Sequence, residues 1–434
     1  MIFRIRRASR LALLSCVLVV GSIGLSACGS SSSHSTTSKT TAAANTPASS
    51  TPSSTSSKKP FVLGMICSCT GPEAAAVGNN INAIHAWADS VNAKGGVNGY
   101  PVKVITLDDQ QNQATSLQDA KELVEQDHVQ AIVGESSFVD SAFASYVAGA
   151  GIPVIGGSNY ESSFQSNPDF FPSGGQVISG LAGGAALAKQ AGKKVFGTIY
   201  CAESPICAQL VPLINGIAPL YGLKSYVAKI SATAPSYTAP CLAAKSAGVD
   251  GMFIADNSPI VLRFVAACAQ QGYTPQQITS TQTVTSAWLS DPTLNGALLS
   301  SLDANAYDTS TPAIAAFQAA LKKYAPSAAP SSSTFSGEEI NAWSGGLLFQ
   351  AAATAGHLTP SSTPAQVKKG LYALKNETLD GIAPPLNFTP GKPAFIPCWF
   401  TEQVKGGKFT SLNGNKPTCL TAAQGAALAK ALKL

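Results

Sequence analysis

VQAIVGESSFVDSAFASYVAGAGIPVIGG, from Val129 to Gly157, is one complete repeat of the pattern that decides the fold. Val129–Val133 is a short apolar run that stops at Gly134. Ser141 to Ala150 has helical spacing, and Ile152–Ile155 is a second short apolar run that stops at Gly156-Gly157. Two short buried strands separated by a crossover helix predict parallel pairing in a sheet covered on both faces. The same unit recurs upstream. Phe61–Ile66 reads as a strand, and 73–93 as a helix with Ile81, Ile84, Trp87, Ala88 and Val91 on one face, broken by Gly95, Gly96 and Gly99. Val102–Leu107 is a strand ending in Asp108-Asp109, followed by a helix from Thr115 to Asp127.

The rhythm restarts after residue 176. A helix over 176–191, a strand over Val195–Tyr200, a helix over 206–221 and a strand over Ser225–Ile230 come first. A short helix near Cys241–Lys245, a strand over Gly251–Ala255 and a helix over 259–271 follow. Residues 310–325, 336–357 and 364–374 read as helices, and Ala394 to Phe409 as antiparallel strands around Lys405-Gly406-Gly407. This predicts an α/β protein of two doubly wound lobes in series. The chain is expected to cross between them near residues 176, 305 and 380. One lobe then comprises 60–176 plus 306–380, and the other 177–305 plus 381–434.

The chain begins differently. Arg4, Arg6, Arg7 and Arg10 precede an apolar stretch from Leu11 to Ala27, the arrangement of a secretory signal peptide. The stretch is short for a membrane span, which needs about 20 apolar residues. Leu25-Ser26-Ala27-Cys28 resembles a bacterial lipobox, which implies cleavage before Cys28 and diacylation of its thiol. Residues 29–59 are almost entirely Ser, Thr, Ala, Pro and Lys. Such a tract cannot offset its ordering entropy by burial and is expected to be a disordered tether. At ~5–6 Å × √n it reaches roughly 30 Å, enough to hold a globular body near a membrane without fixing its orientation.

The net charge of +5 includes the four leader arginines, so the rest of the chain is near neutral and its only arginine is Arg263. This excludes the basic patch of a nucleic-acid binder and the arginine forks of a phosphate or dicarboxylate site. Eight cysteines remain once Cys16 and Cys28 are set aside. An even number in an exported chain reads as disulfides. Cys398 and Cys419, flanking a short hairpin, are the pair best placed to bond. The spacing of Cys67 and Cys69 is too tight for a relaxed bridge, which points to other partners or to free thiols. His34, His85, His128 and His357 are scattered away from cysteine pairs, so neither a metal nor any cofactor is expected.

Ligands of open α/β sheets sit beyond the carboxyl ends of the strands. There the chain carries Cys67-Ser-Cys-Thr-Gly-Pro72, Gly134-Glu-Ser-Ser137, Gly156-Gly-Ser-Asn-Tyr160, Tyr200-Cys-Ala-Glu203 and Ala255-Asp-Asn-Ser258. Ser, Gly and Asn are also ordinary turn and N-cap residues, but five such turns on two facing lobes describe a cleft. One wall offers hydroxyls and backbone N–H groups suited to a carboxylate. The other offers Glu203 and Asp256, suited to an ammonium group. Together they fit a zwitterion.

These motifs, in this order, resemble the type I solute-binding proteins of branched-chain amino-acid ABC transporters. The resemblance rests on Thr70-Gly71-Pro72 with Gly78, Leu107-Asp108-Asp109, Gly134 to Ser137, Ile152-Pro153-Val154 and Gln271-Gly272-Tyr273. It continues through Leu379 to Gly381, Leu386 to Thr389 and Gly407 to Phe409. It implies two lobes joined by a three-stranded hinge, closing on a small solute and presenting it to an ABC permease. The protein is then an extracytoplasmic, lipid-anchored monomer. Ser136, Ser137 and Ser158 would hold the carboxylate, Asp256 the amino group, with Glu203 a weaker candidate, and Thr70 and Gly157 complete the ligand-binding set. Family members also take amides, urea and aromatic acids.

Two other functional classes compete with a solute-binding role. Catalysis lacks a nucleophile elbow, a phosphate loop, or a histidine near a candidate nucleophile. Glu338-Glu339 reads as a solvated helix face or a first-turn partner of the helix dipole. A sensor on the same fold would report its ligand to a signalling partner rather than to a permease.

Overall fold

A computed structural model of the chain describes residues 58–72, 74–203, 205–280 and 284–432. The leader, Cys28 and nearly all of the tether lie outside them. The body from Ser57 onward is one compact unit.

The first half runs β1 (Phe61–Cys67), α1 (Ala74–Val77), α2 (Asn80–Asn92), β2 (Val102–Asp108), α3 (Gln113–Lys121), β3 (Ile132–Glu135), α4 (Ser141–Gly149), β4 (Val154–Gly157), α5 (Ser163–Ser166) and β5 (Phe170–Phe171). Its five strands form a parallel sheet in the order β2-β1-β3-β4-β5. Successive side chains of a strand face opposite ways, and β1 shows the result. Phe61, Leu63 and Met65 pack into one core with Trp87 of α2. Ile66 packs into the core on the other face with Leu123 and Phe143.

The second half runs α6 (Val177–Gln190), β6 (Val195–Cys201), α7 (Pro205–Leu220), β7 (Lys224–Ile230), α8 (Thr238–Ser246), β8 (Gly251–Ala255), α9 (Ser258–Gln270), β9 (Gln276–Thr279) and β10 (Leu298–Ser301). The chain then returns to the first lobe as α10 (Pro312–Tyr324), α11 (Glu339–Ala355), α12 (Pro364–Ala373) and the short pair β11 (Lys375–Glu377) and β12 (Leu386–Asn387). It finishes as β13 (Cys398–Lys405), β14 (Lys408–Ser411), β15 (Thr418–Cys419) and α13 (Ala422–Leu432). The second sheet runs β14-β13-β10-β9-β8-β6-β7, with β13 and β14 antiparallel at its far side and β15 paired to β13.

The chain therefore passes between the sheets at 172–176, at 302–311 and at 388–397. Gln176 laces two of these segments together. Its Nε2 donates to the carbonyls of Phe164 and Ala394, and its Oε1 accepts from the Ile396 N–H. Gly175 N–H donates to Leu302 O at 2.7 Å, which ties the first passage to the second.

Two expectations are corrected. The structure bonds Cys67 to Cys69, because the backbone at the end of β1 brings their Cα atoms to 5.1 Å. The other pairs are Cys201–Cys207, Cys241–Cys268 and Cys398–Cys419. Glu338 and Glu339 are not a solvated face: they are 2% and 0% exposed. The helix they open, α11, lies against β3 and β4, with α2 and α12 packed on it. A Cβ on Gly345 would come within 2.8 Å of Gly134 N and Ile155 O. Only glycine lets this helix settle so closely on the sheet.

Candidate functional site

The register of the first sheet puts its strand ends level. Cys67 is opposite Asp108, and Glu135 is opposite Gly157. Beyond them the turns tie to one another rather than opening outward. Asp109 is fully buried and accepts from the Ser68 hydroxyl, from the Ser137 hydroxyl and from Gln111 N–H. Ser136 Oγ donates to Gly134 O and accepts from Asn80 Nδ2. Ser158 is buried, with its N–H on Glu135 O at 2.7 Å. Gly157 has φ 124°, and a Cβ there would lie 1.8 Å from Glu135 O, so the close backbone approach requires glycine. Thr70 is exposed, with its hydroxyl on Asp108 Oδ2.

Between the two lobes lies a cavity of about 160 Å³. The first lobe contributes Ala76, Phe138, Tyr160 and Glu338. Phe138 and Tyr160 each stand at or just past a predicted turn, and their rings lie 5.9 Å apart. The second lobe contributes the flank of α6 through Val177, Gly180, Leu181 and Gly184, and the strands through Phe196, Phe253 and Ile278. Asp256 and Asn257 face it from the turn after β8, and the Cys201–Cys207 bridge forms part of the wall.

Of the residues expected to bind, Asp256 reaches the cavity. Thr70, Ser136, Ser137, Gly157, Ser158 and Glu203 are not among its lining residues. Glu203 ties the loop after β6 to the one after β7, accepting from Ser231 Oγ, Ala232 N–H and its neighbour Ala202 N–H. Burial pushes its carboxyl up, but these hydrogen bonds outweigh that and hold it below its ordinary value.

Glu338, Phe138 and Tyr160 were missed by the sequence reading. Glu338 sits at the start of α11, and its Oε2 accepts from Asn341 Nδ2 at 2.7 Å. Burial, then the charges of Glu339 and Asp303, hold its carboxyl well above the usual carboxylate range. Burial and then the Glu338 carboxylate likewise push the Tyr160 phenol up. Among the described residues no group of side chains has the composition of a metal site.

Residues 60–408 match the family model described as periplasmic binding protein. The chain belongs to that family. Solved members align along nearly their whole length. A solute-binding protein of an ABC transporter from R. palustris, in complex with benzoate, is 14% identical, with 85% of this chain and 99% of that one covered and a TM-score of 0.68. A leucine-binding protein from Thermotoga maritima is 15% identical, with 81% and 97% covered and a TM-score of 0.66. A fatty acid ABC transporter substrate-binding protein from Thermomonospora curvata is 16% identical, with 82% and 94% covered and a TM-score of 0.66. Comparison with curated proteins finds no match. At these identities the likeness carries the fold of a type I periplasmic binding protein and not the ligand. The family is extracytoplasmic, binds small solutes without transforming them, and works with ABC permeases. Among the described residues no helix of this periplasmic binding protein is long and apolar enough to cross a membrane.

Proposed function

We propose that this periplasmic binding protein captures a small solute with a largely apolar body in the cavity between its lobes and delivers it to an ABC permease. The observation that carries the reading is the cavity wall. Where a hydroxyl clamp was expected, the first lobe presents Phe138 and Tyr160, and the Ser136 and Ser137 hydroxyls are spent inside the lobe. The second lobe answers with Leu181, Phe196, Leu210, Phe253 and Ile278. An engineered apolar cavity of about 150 Å³ holds one benzene ring, so a body of that size suits the space here. Burying it contributes about 25 cal/mol per Å² of apolar surface. Contacts made to both walls at once favour the closed arrangement of the lobes.

A branched-chain or other α-amino acid is the second reading. Asp256 at the cavity wall favours it, as the acceptor of an amino group. Cys28 would carry the lipid that holds the protein at the membrane. Thermal unfolding against a panel of amino acids, aromatic and aliphatic acids, amines and sugars tests both readings. A ligand at about 100 times its Kd adds roughly 2.7 kcal/mol. A shift with apolar solutes supports the first reading. A shift confined to α-amino acids replaces it with the second, and a shift confined to sugars sinks both.

A further inference from the structure

The ionisable side chains of the cavity are acidic. Glu338 faces it from the first lobe and Asp256 from the second, and among the described residues no Lys, Arg or His lines it. Arg263, the only arginine after the leader, is occupied elsewhere. It donates to Ala232 O and Ala234 O and lies 5.0 Å from the centre of the Tyr237 ring. A carboxylate entering here would meet two acids and no cation on the wall to offset them; the serine and threonine residues there are Thr279, Ser280 and Ser300. The groups facing Glu338 are Tyr160 from the turn after β4, Asp303 from the segment after β10, and Glu339 and Asn341 on its own helix. None supplies a positive charge.

We propose that the cavity selects a monoamine: an apolar ring or chain bearing one ammonium group and no carboxylate, with Glu338 as its counter-ion and Asp256 as a second acceptor. The inference rests on the cavity being the solute site. An isolated ammonium loses its hydration on entering such a space and needs an ionised partner there. Burial favours the protonated form of Glu338 in the empty site, and it becomes that partner by giving its proton to solvent as the cation arrives. One cation enters and one proton leaves, so net charge in the cavity is conserved.

The test uses three probes with one ring, benzylamine, benzyl alcohol and benzoate, titrated calorimetrically into the full chain and into its Glu338→Gln variant. Benzylamine is expected to bind best and to release a proton as it binds, read from two buffers of different ionisation heat. Glu338→Gln should weaken benzylamine about tenfold or more, the loss of a charged hydrogen bond, abolish the proton release and leave benzyl alcohol little changed. In the wild-type protein, affinity for benzylamine should rise about tenfold per pH unit while Glu338 is still protonated. That profile decides the matter even if the variant does not fold. Benzoate binding as tightly as benzylamine, or a flat pH profile, overturns the proposal. Binding of benzyl alcohol alone overturns it while leaving the apolar solute site standing. Binding of none of the three removes both.

Discussion

Replacing Gly345 by alanine tests whether the seating of α11 on the first sheet is what holds Glu338 in place. The added Cβ would sit 2.8 Å from two backbone atoms, Gly134 N and Ile155 O, neither of which belongs to a side chain that can swing away. Carbon reaches its best contact distance at ~3.5–4.0 Å, so the helix must retreat by roughly 0.7 Å. Overpacking of this kind costs about 1–3 kcal/mol. Alanine returns about 0.5–1 kcal/mol of helix propensity over glycine, which leaves a net loss of about 0–2.5 kcal/mol, centred on about 1 kcal/mol. Urea unfolding followed by tryptophan fluorescence reads this directly, since Trp343 lies on the same helix and Trp87 packs against it. Gly149 at the end of α4 is the matched control. It is exposed, and a Cβ there meets nothing within 4 Å, so Gly149→Ala should be neutral or slightly stabilising. If Gly345→Ala behaves like Gly149→Ala, with an unchanged or raised midpoint, α11 is not wedged on the sheet and the account of Glu338 fails with it.

Gly184 on α6 is a second helical glycine with the opposite expectation. An added Cβ would make ordinary contacts of 3.4 and 3.6 Å with Phe196 and Ile278, both cavity residues. Gly184→Ala should therefore raise the urea midpoint by the equivalent of about 0.5–1 kcal/mol while weakening capture of ring-sized solutes, seen as a smaller ligand-induced shift in melting temperature. Glu402 is fully buried with Ser301 donating to it, and burial pushes its carboxyl up to about 8 from an ordinary value of 4.5. The folded state then holds a proton that the unfolded chain releases, so its contribution is full below pH 4.5 and is lost as pH rises to about 8. Glu402→Gln should flatten that part of the stability profile, and an unchanged slope in pH-dependent melts would rule Glu402 out as its source. Opening the Cys241–Cys268 bridge, which spans 27 residues between α8 and α9, should cost about 3–4 kcal/mol by the chain-entropy relation. A double serine variant that melts with the parent protein would show that packing of these helices alone suffices.

The alternation of strands and helices was legible because most strands of both sheets are buried on both faces and read as plain apolar runs. β9 and β10 were not seen, since Gln-Gln-Ile-Thr and Leu-Leu-Ser-Ser lack such a run. They are strands because β8 on one side and β13 on the other supply the pairing, which local sequence does not announce. The site shows a finer version of the same limit. The strand-end rule located the turns after β3 and β4 correctly in the chain, yet it cannot say which residue of a turn looks outward. Ser137 and Phe138 are neighbours. The first turns in to the buried carboxylate of Asp109, and the second turns out to the cavity. That choice is set by Asp109 on a different strand's end, so it belongs to the tertiary structure. Glu338 escaped for a related reason. An acidic pair at a helix start is normally a solvated dipole partner, and the sequence shows no cation to suggest otherwise. What reverses the reading is that α11 is buried over most of its surface, and Gly345 is the residue that permits it. A glycine inside a helix whose faces carry no clear polar side signals a helix pressed onto a sheet, and an acid at the start of such a helix is a candidate for the site rather than for the surface.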